Sequence, residues 1–595
     1  MIRQPLRPLT RILQARAKGE STEAIERENR RHRHEEMREK MRGRAALRLK
    51  FLAFCFFAAF SAIGGQMAVL ASSDAEEPTI QSAEGPAPIL SDRADIVDRN
   101  GRVLATNMET YSLYAQPQQM IDPHFAADEL ARIFPELDHE RLVADFTGDR
   151  RFLWIRRQIS PEQMQQVHDI GDPGLLFGPR QMRLYPNGSL AAHILGGSSY
   201  GREGVSSAEV IGVAGVERYF DARLRDPYQQ DPLELSLDLT VQAVMEEVLG
   251  SGMVLMNAKG ASGIIMDVYT GEIVAMASLP DFDPNDRPAL PTSGSPADSP
   301  LFNRSLQGVY ELGSVFKAFT AAAALDAGLV NPNTIINTEG PLTWGRFRIS
   351  DSHRMDPSMP VSEVIAESSN VGTARIAQML GIERQKAFLD SLGMLEPTQV
   401  EMAEAPTGRP QFPENWSELS MMTISYGHGL AVSPLHLAAG YATIANGGTR
   451  IVPTLLRQDG PQVGERIISR QTSDQIRSIL RGVVSHGTAS LAEVPGYNVG
   501  GKTGTAEKPI ETGGGYYSDK VIATFSGIFP ANDPRYVIII SLDEPVETSG
   551  PQPRRTAGWT AVPVAAEVIR RTAPLMGLRP AVERWAPESI HQASQ

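Results

Sequence analysis

The chain has 595 residues, 42% hydrophobic and 21% charged, with a formal net charge of −13 and one cysteine. These fractions exclude wholesale disorder, and at roughly 150 residues per domain the length allows two to four folded units. One cysteine excludes a disulfide framework and any Cys-based zinc or iron–sulfur site, and the acidic balance argues against a nucleic-acid binder with a wholly basic surface.

The charge is unevenly spread. Residues 1–50 carry 15 Lys/Arg and 7 Asp/Glu, a net +8, whereas the rest carries 42 and 63, a net −21. Between them runs FLAFCFFAAFSAIGGQMAVLA, Phe51 to Ala71, without a charge. As a helix rising ~1.5 Å per residue it would span the ~30 Å hydrocarbon core of a bilayer. The basic tail, ending in Arg48 and Lys50, would keep the N-terminus cytoplasmic. A cleaved signal peptide is the main alternative, since Val69-Leu70-Ala71 roughly fits a cleavage site. The long charged leader and long apolar core disfavour it. The sequence thus predicts a single-pass anchor, with an extracytoplasmic body after it.

Residues 72–92, rich in Ser, Pro, Ala and acids, read as a linker. From 93 to about 240, short β-rich runs (ADIVDRNGRVLA, TYSLYAQ) alternate with amphipathic stretches (HFAADELARIF, ERLVADF), which predicts an α+β module with no catalytic cluster. From 241 the pattern changes. SGIIMDVYTG and EIVAMASL predict a strand hairpin, and SVFKAFTAAAALDAGLV a helix apolar nearly all round and therefore buried. SEVIAESSN, TARIAQMLG and SPLHLAAGYATIANGG extend the helical block. The strands NVGGKTGTA, VIATFSGIF and RYVIIISLDE and the helix AVPVAAEVIRRTAPLMG then close a domain ending near 577, before a tail over 578–595. Strands, a helical block, then strands and a helix predict an antiparallel sheet assembled from both chain ends, with a helical subdomain inserted.

Three short motifs occur in order: Ser314-Val315-Phe316-Lys317, Ser368-Ser369-Asn370 and Lys502-Thr503-Gly504. Alone, each commonly marks a solvated helix face, a helix start or a turn. Yet among nine lysines only Lys317 follows a serine three positions on, Asn370 alone among the asparagines has Ser two positions earlier, and Lys-Thr-Gly occurs once. Together, in this order, they name one reaction centre.

The residue types fit acyl transfer. A serine hydroxyl attacks well only when a base removes its proton. Lys317, one helical turn beyond Ser314 at the start of an apolar helix, would lose its ammonium proton on burial and serve as that base. Ser368 can relay a proton, and the Asn370 amide can donate to a substrate carbonyl. Lys502 supplies positive charge for a carboxylate, with Thr503 and Thr505 hydroxyls to grip it. Gly500, Gly501 and Gly504 would leave room for an extended peptide along the strand. The backbone N–H groups of Ser314 and Thr505 are candidates for an oxyanion hole, where one donor can contribute roughly 3–4 kcal/mol in the transition state.

On these motifs the chain resembles the class B penicillin-binding proteins, peptidoglycan D,D-transpeptidases of the penicillin-interacting serine fold. Arg93-Ala94-Asp95-Ile96-Val97-Asp98-Arg99-Asn100-Gly101, Arg183-Leu184-Tyr185-Pro186 and Gly212 through Glu217 look like signatures of the family's noncatalytic pedestal, the dimerisation-type module. YELGSVFK, SYGHGLAVSP, GKTGTAEK and SGIFPANDPRYVIIISLDEP look more like the cell-division type than the elongation type. Ala94 replaces the family's usual glycine, and Leu312 stands where many members have proline. The resemblance implies a cytoplasmic tail (1–50), anchor (51–71), linker (72–92), pedestal (93–240) and transpeptidase domain (241–577). It implies an acyl-enzyme on Ser314, β-lactam inhibition, no cofactor and no metal. It also implies a place in the bacterial inner membrane at the septum, beside a SEDS-type glycosyltransferase and other divisome proteins, with peptidoglycan stem peptides as substrate. The alternatives are a carboxypeptidase or β-lactamase of the same fold, the elongation-specific transpeptidase, or a noncatalytic scaffold or sensor.

Rival motifs carry less. Gly197-Ser198-Ser199-Tyr200-Gly201 matches a G-x-S-x-G elbow, but no buried helix follows it. The histidines include no H-E-x-x-H; His32 and His34 lie in the basic tail, and Cys55 falls in the apolar run. Residues 511–519, ETGGGYYSD, read as a loop beside the cleft.

Overall fold

The computed structural model describes residues 7–19, 21–22, 50, 52–54, 56–58, 60–61, 93–203, 208–510 and 514–581. Cys55, His32, His34, the linker 72–92, residues 511–513 of the expected loop and 582–595 of the tail lie outside them, as does most of the expected anchor. Among the described residues no helix is long and apolar enough to cross a membrane.

The chain divides into two compact units. The first takes residues 1–79, 115–153 and 172–175. It holds α1 (Arg7–Ala17) and the packed pair α2 (Pro123–Ile133) and α3 (His139–Thr147). Asp122 and Asp138 accept the Phe125 and Arg141 N–H groups at 3.0 Å each, satisfying donors that a helix start leaves unpaired.

The second unit takes residues 80–114, 154–171 and 176–595. Its smaller sheet orders β3 (Leu153–Ile159), β2 (Val103–Ala115), β1 (Ile96–Val97) and β7 (Leu233–Glu234), with β4 (Leu175–Leu184) also on β2. α4 (Pro161–Ile170) follows β3, opened by a reciprocal cap between Ser160 and Gln163. The first pedestal signature is a turn: Asp98 accepts Asn100 N–H at 2.8 Å and Arg102 N–H at 2.9 Å, and Gly101 takes a left-handed φ of 77°. The other signatures meet in a buried ion network. Glu217 accepts from Arg93 Nε and Arg183 Nε, each at 2.7 Å, and Arg93 also reaches Asp221 at 2.7 Å. The G-x-S-x-G match lies on β5 (Gly197–Glu203), paired antiparallel with β6 (Ala208–Ala214), so it forms no strand-to-helix elbow.

α5 (Leu239–Leu255) leads into the larger sheet, ordered β12 (Gly500–Pro509), β13 (Tyr516–Phe529), β14 (Tyr536–Asp543), β8 (Gly260–Asp267) and β9 (Ile273–Leu279). All four pairings are antiparallel. Because β14 pairs with β8, the two ends of the domain close into one sheet, as the order of apolar runs predicts. Every residue of β8, β9 and β14 is buried, so both faces are covered. α5 and α13 (Ala561–Thr572) pack together on this sheet, and α11 (Pro434–Ala445) packs on it as well. The inserted helices are α6 (Lys317–Asp326), α7 (Val361–Ala366), α8 (Asn370–Leu380), α9 (Ile382–Ser391), α10 (Glu418–Ile424), α11 and α12 (Arg470–Ser485). Two short strands, β10 (Tyr310–Glu311) and β11 (Ala431–Val432), pair just before α6 and α11.

Candidate active site

Ser314 sits on a 3-10 turn, Gly313–Phe316, that runs directly into α6. The sequence reading placed it on the α-helix itself; the tighter turn eclipses positions i and i+3 and so still stacks Ser314 and Lys317. Lys317 N–H donates to Ser314 O, closing that turn. Lys317 is fully buried and heads a helix buried from Lys317 through Leu325.

Ser368 lies between α7 and α8 with φ +65°, a left-handed conformation that costs a non-glycine residue roughly 1–3 kcal/mol. That conformation presents two oxygens to Lys317, whose Nζ donates to Ser368 O at 2.5 Å and Ser368 Oγ at 3.0 Å. Lys502, on edge strand β12, donates from Nζ to the same Oγ at 2.9 Å and to Thr503 O at 3.2 Å. The three motifs therefore converge on one hydroxyl.

Burial, and then the neighbouring Lys502, drive Lys317 well below its ordinary pKa, with Asp351 pulling the other way. Burial also pushes Lys502 down to about 7, opposed by Glu367. Two buried ammonium groups on one oxygen repel, so the site favours a neutral lysine at neutral pH.

Asp351 was missed by the sequence reading. Its carboxylate accepts from Asn370 N–H at 2.5 Å, Val371 N–H at 3.1 Å and Ser369 Oγ–H at 3.0 Å. It thus fixes the start of α8, where negative charge is favoured. Asn370 Nδ2 donates to Ser350 O at 3.0 Å. No periodic pattern surrounds Asp351; only its polar setting, DSH before a proline-rich run, would have marked it as a cap.

The glycines of the Lys-Thr-Gly strand lie against internal contacts that a side chain would fill. A Cβ on Gly504 would lie 2.2 Å from Leu312 O, and one on Gly501 would lie 2.5 Å from the Phe525 ring. One on Gly500 would meet Ala531 Cβ at 3.1 Å. They let β12 press against the Ser314 turn and the sheet, so internal packing also calls for glycine at these positions. Leu312, at the family's usual proline position, is fully buried beneath this contact. A Cβ on Gly313 would lie 3.2 Å from Thr505 N, so the Ser314 turn and the Thr505 backbone adjoin. Thr503 and Thr488 hydroxyls are 2.9 Å apart, and Thr505 Oγ1 accepts Ala557 N–H at 3.0 Å.

Two large cavities, of about 710 and 570 Å³, hold none of the motif residues. A half-buried serine on a helix-opening turn, beside two buried lysines that share one hydroxyl, is equipped for acyl transfer through a serine ester.

The chain matches the penicillin binding protein transpeptidase domain over residues 261–569 and the penicillin-binding protein dimerisation domain over 88–231. It is 34% identical over 548 residues to the probable peptidoglycan D,D-transpeptidase FtsI of Caulobacter vibrioides, covering 90% of this chain and 89% of that one. It is 28% identical over 480 residues to the peptidoglycan D,D-transpeptidase FtsI of Escherichia coli, covering 77% and 80%. The crystal structure of penicillin binding protein 3 from Mycobacterium tuberculosis complexed with aztreonam matches with a TM-score of 0.62 at 26% identity, over 82% of this chain and 97% of that one. The chain belongs to the class B penicillin-binding proteins.

Proposed function

We propose that this chain is a peptidoglycan D,D-transpeptidase that cross-links stem peptides at the division septum through an acyl-enzyme on Ser314. The observation that carries the reading is the single Ser368 hydroxyl held by Lys317 and Lys502 beside the Ser314 turn. Neutral Lys317 takes the Ser314 proton as Oγ attacks the carbonyl between the terminal D-Ala residues. The proton passes through Ser368 to the departing D-Ala amine, and the ester remains on Ser314. The amine of a second stem peptide then attacks the ester, gives up its proton by the same path reversed, and regenerates the Ser314 hydroxyl. The Asn370 amide orients the donor peptide. Lys502, Thr503 and Thr505 hold its carboxylate along Gly504, and the Ser314 and Thr505 N–H groups receive the oxyanion. No cofactor or metal enters these steps. A β-lactam offers the same carbonyl and blocks the enzyme as a stable acyl ester.

The rest of the reading follows the charge pattern and the family. Residues 1–50 are a cytoplasmic tail and 51–71 a transmembrane helix. A linker (72–92), pedestal (93–240), transpeptidase domain (241–577) and short tail (578–595) follow outside the inner membrane. The partners are divisome membrane proteins, including a SEDS-type glycosyltransferase. A fluorescent penicillin tests the site: wild-type protein should be labelled and Ser314→Ala should not. Wild-type protein that stays unlabelled at high probe concentration defeats the reading.

A further inference from the structure

A second constellation lies beside the Ser314 turn and has no part in the proton path. Glu311, the last residue of β10, precedes Ser314 by three positions. Its Oε1 accepts Gly429 N–H at 2.7 Å and the Tyr516 hydroxyl at 3.1 Å, and its Oε2 lies 3.1 Å from His428 Nδ1. The His428 and Tyr516 rings pack at 4.6 Å between centroids. One carboxylate thus ties together three separate segments: the strand leading to Ser314, the 427–429 turn, and the first residue of β13 in the hairpin that follows Lys-Thr-Gly.

These ties lead to the nucleophile by rigid contacts. Gly313 N–H donates to Gly427 O at 3.2 Å, and a Cβ on Gly427 would lie 2.0 Å from Gly313 O. The 427–429 turn therefore cannot shift without moving Gly313, the residue before Ser314. β10 and β11 pair immediately beside it, Glu311 opposite Ala431.

We propose that Glu311, His428 and Tyr516 form a clamp that positions the Ser314 turn for acylation, with His428 setting its strength. Glu311 is a positioning residue, and the proposal rests on Ser314 being the nucleophile. The charged and titratable groups facing His428 are Glu311 from β10, Glu507 from β12 and Tyr516 from β13, and Tyr426 faces Glu311 beside them. The Glu311 carboxylate, 3.1 Å from the ring, raises the His428 pKa above its ordinary value against the cost of burial, and Glu507 adds to the rise. Burial, with Glu311 nearby, pushes both tyrosines up to about 12, so they stay neutral where His428 titrates. The clamp is charge-assisted while His428 is protonated and slackens as pH rises through its folded pKa.

The test is acylation of the full chain by a fluorescent penicillin, resolving the acylation rate from binding, with Tm measured alongside. Glu311→Gln keeps the side chain's size but gives up its charge. It should slow acylation by about 10- to 100-fold, the loss a small misplacement of a nucleophile brings, with penicillin binding and Tm nearly unchanged. His428, followed by NMR, should then titrate at lower pH than in wild type, because the carboxylate that raises it is gone. In wild type, acylation should decline on the alkaline side with the His428 titration, and His428→Gln should lack that decline. Glu311→Gln acylated at the wild-type rate overturns the clamp, as does a slowing fully matched by lost Tm. Wild type that does not label at all removes the Ser314 reading instead, and the clamp with it.

Discussion

Lys317 Nζ and Ser368 Oγ are 3.0 Å apart, and the same nitrogen reaches Ser368 O at 2.5 Å. Two hydrogen bonds to one residue hold the lysine in place, and Lys502 takes the remaining side of the hydroxyl at 2.9 Å. With two amines donating, both lone pairs of Oγ are engaged and its proton is free to point at an incoming nitrogen. The left-handed backbone at Ser368 is the strain that keeps carbonyl and hydroxyl on one amine.

Ser368→Ala removes the relay but leaves the carbonyl contact to Lys317. Acylation by a fluorescent penicillin should fall roughly 10²- to 10⁴-fold, the range for losing one acid–base group, while the protein stays folded. Acylation near the wild-type rate would mean that Lys317 passes the proton without Ser368.

Lys502→Met should make the protein more stable and less active. Lys502 is fully buried and pushed down to about 7, below its ordinary 10.4. Between those values the unfolded chain binds more protons than the folded one, so stability rises with pH through that window. Lys317 contributes in the same direction. An apolar side chain of similar length should raise Tm at pH 7, by an equivalent of about 1–3 kcal/mol, and flatten the rise between pH 7 and 9. Penicillin labelling should drop in the same variant. Thermal unfolding at the two pH values decides; a lower Tm with an unchanged slope would refute the reading.

What the sequence made legible follows from what is local in it. Ser314, Lys317, Ser368, Asn370 and Lys502 are marked by fixed spacing, and the structure gathers their motifs on one hydroxyl. The sheet closed from both ends was legible because β8, β9, β14 and the buried part of β13 from Val521 on are largely apolar runs bounded by turns or polar residues. Contacts between distant segments were not. Gly504 looks like any glycine until Leu312 O is found 2.2 Å from where a Cβ would be. Asp351 caps a helix that begins 19 positions later, and Glu311 meets a turn more than 100 positions away. Neither relation leaves a period in the sequence. The 3-10 turn under Ser314 was also hidden, since spacing of three suits either helix type.

Asp351→Asn tests the electrostatics of the base. The carboxylate favours charged Lys317, so neutralising it should lower the Lys317 pKa further. Acylation requires neutral Lys317, and the acid limb of its pH profile should therefore move to lower pH. Asparagine still accepts hydrogen bonds at the start of α8, so the stability cost should stay near 1 kcal/mol. A limb displaced to higher pH, or not displaced, would show that Asp351 acts on the helix alone.

Glu217→Gln tests the other buried charge cluster. Arg93 and Arg183 are 3% and 5% exposed, and both pair with a Glu217 that is fully buried. Asp221 is only partly buried, is shared between Arg93 and Arg225, and does not reach Arg183. Neutralising Glu217 leaves two buried guanidinium groups short of a counter-charge, a change that costs about 3–5 kcal/mol. Tm should fall steeply, whereas the fraction still folded should be labelled by penicillin at the wild-type rate, because the network touches no residue of the Ser314 site. Labelling measured against the folded fraction separates the two effects. A Tm near wild type would mean that Asp221 and the surrounding carbonyls already satisfy both arginines.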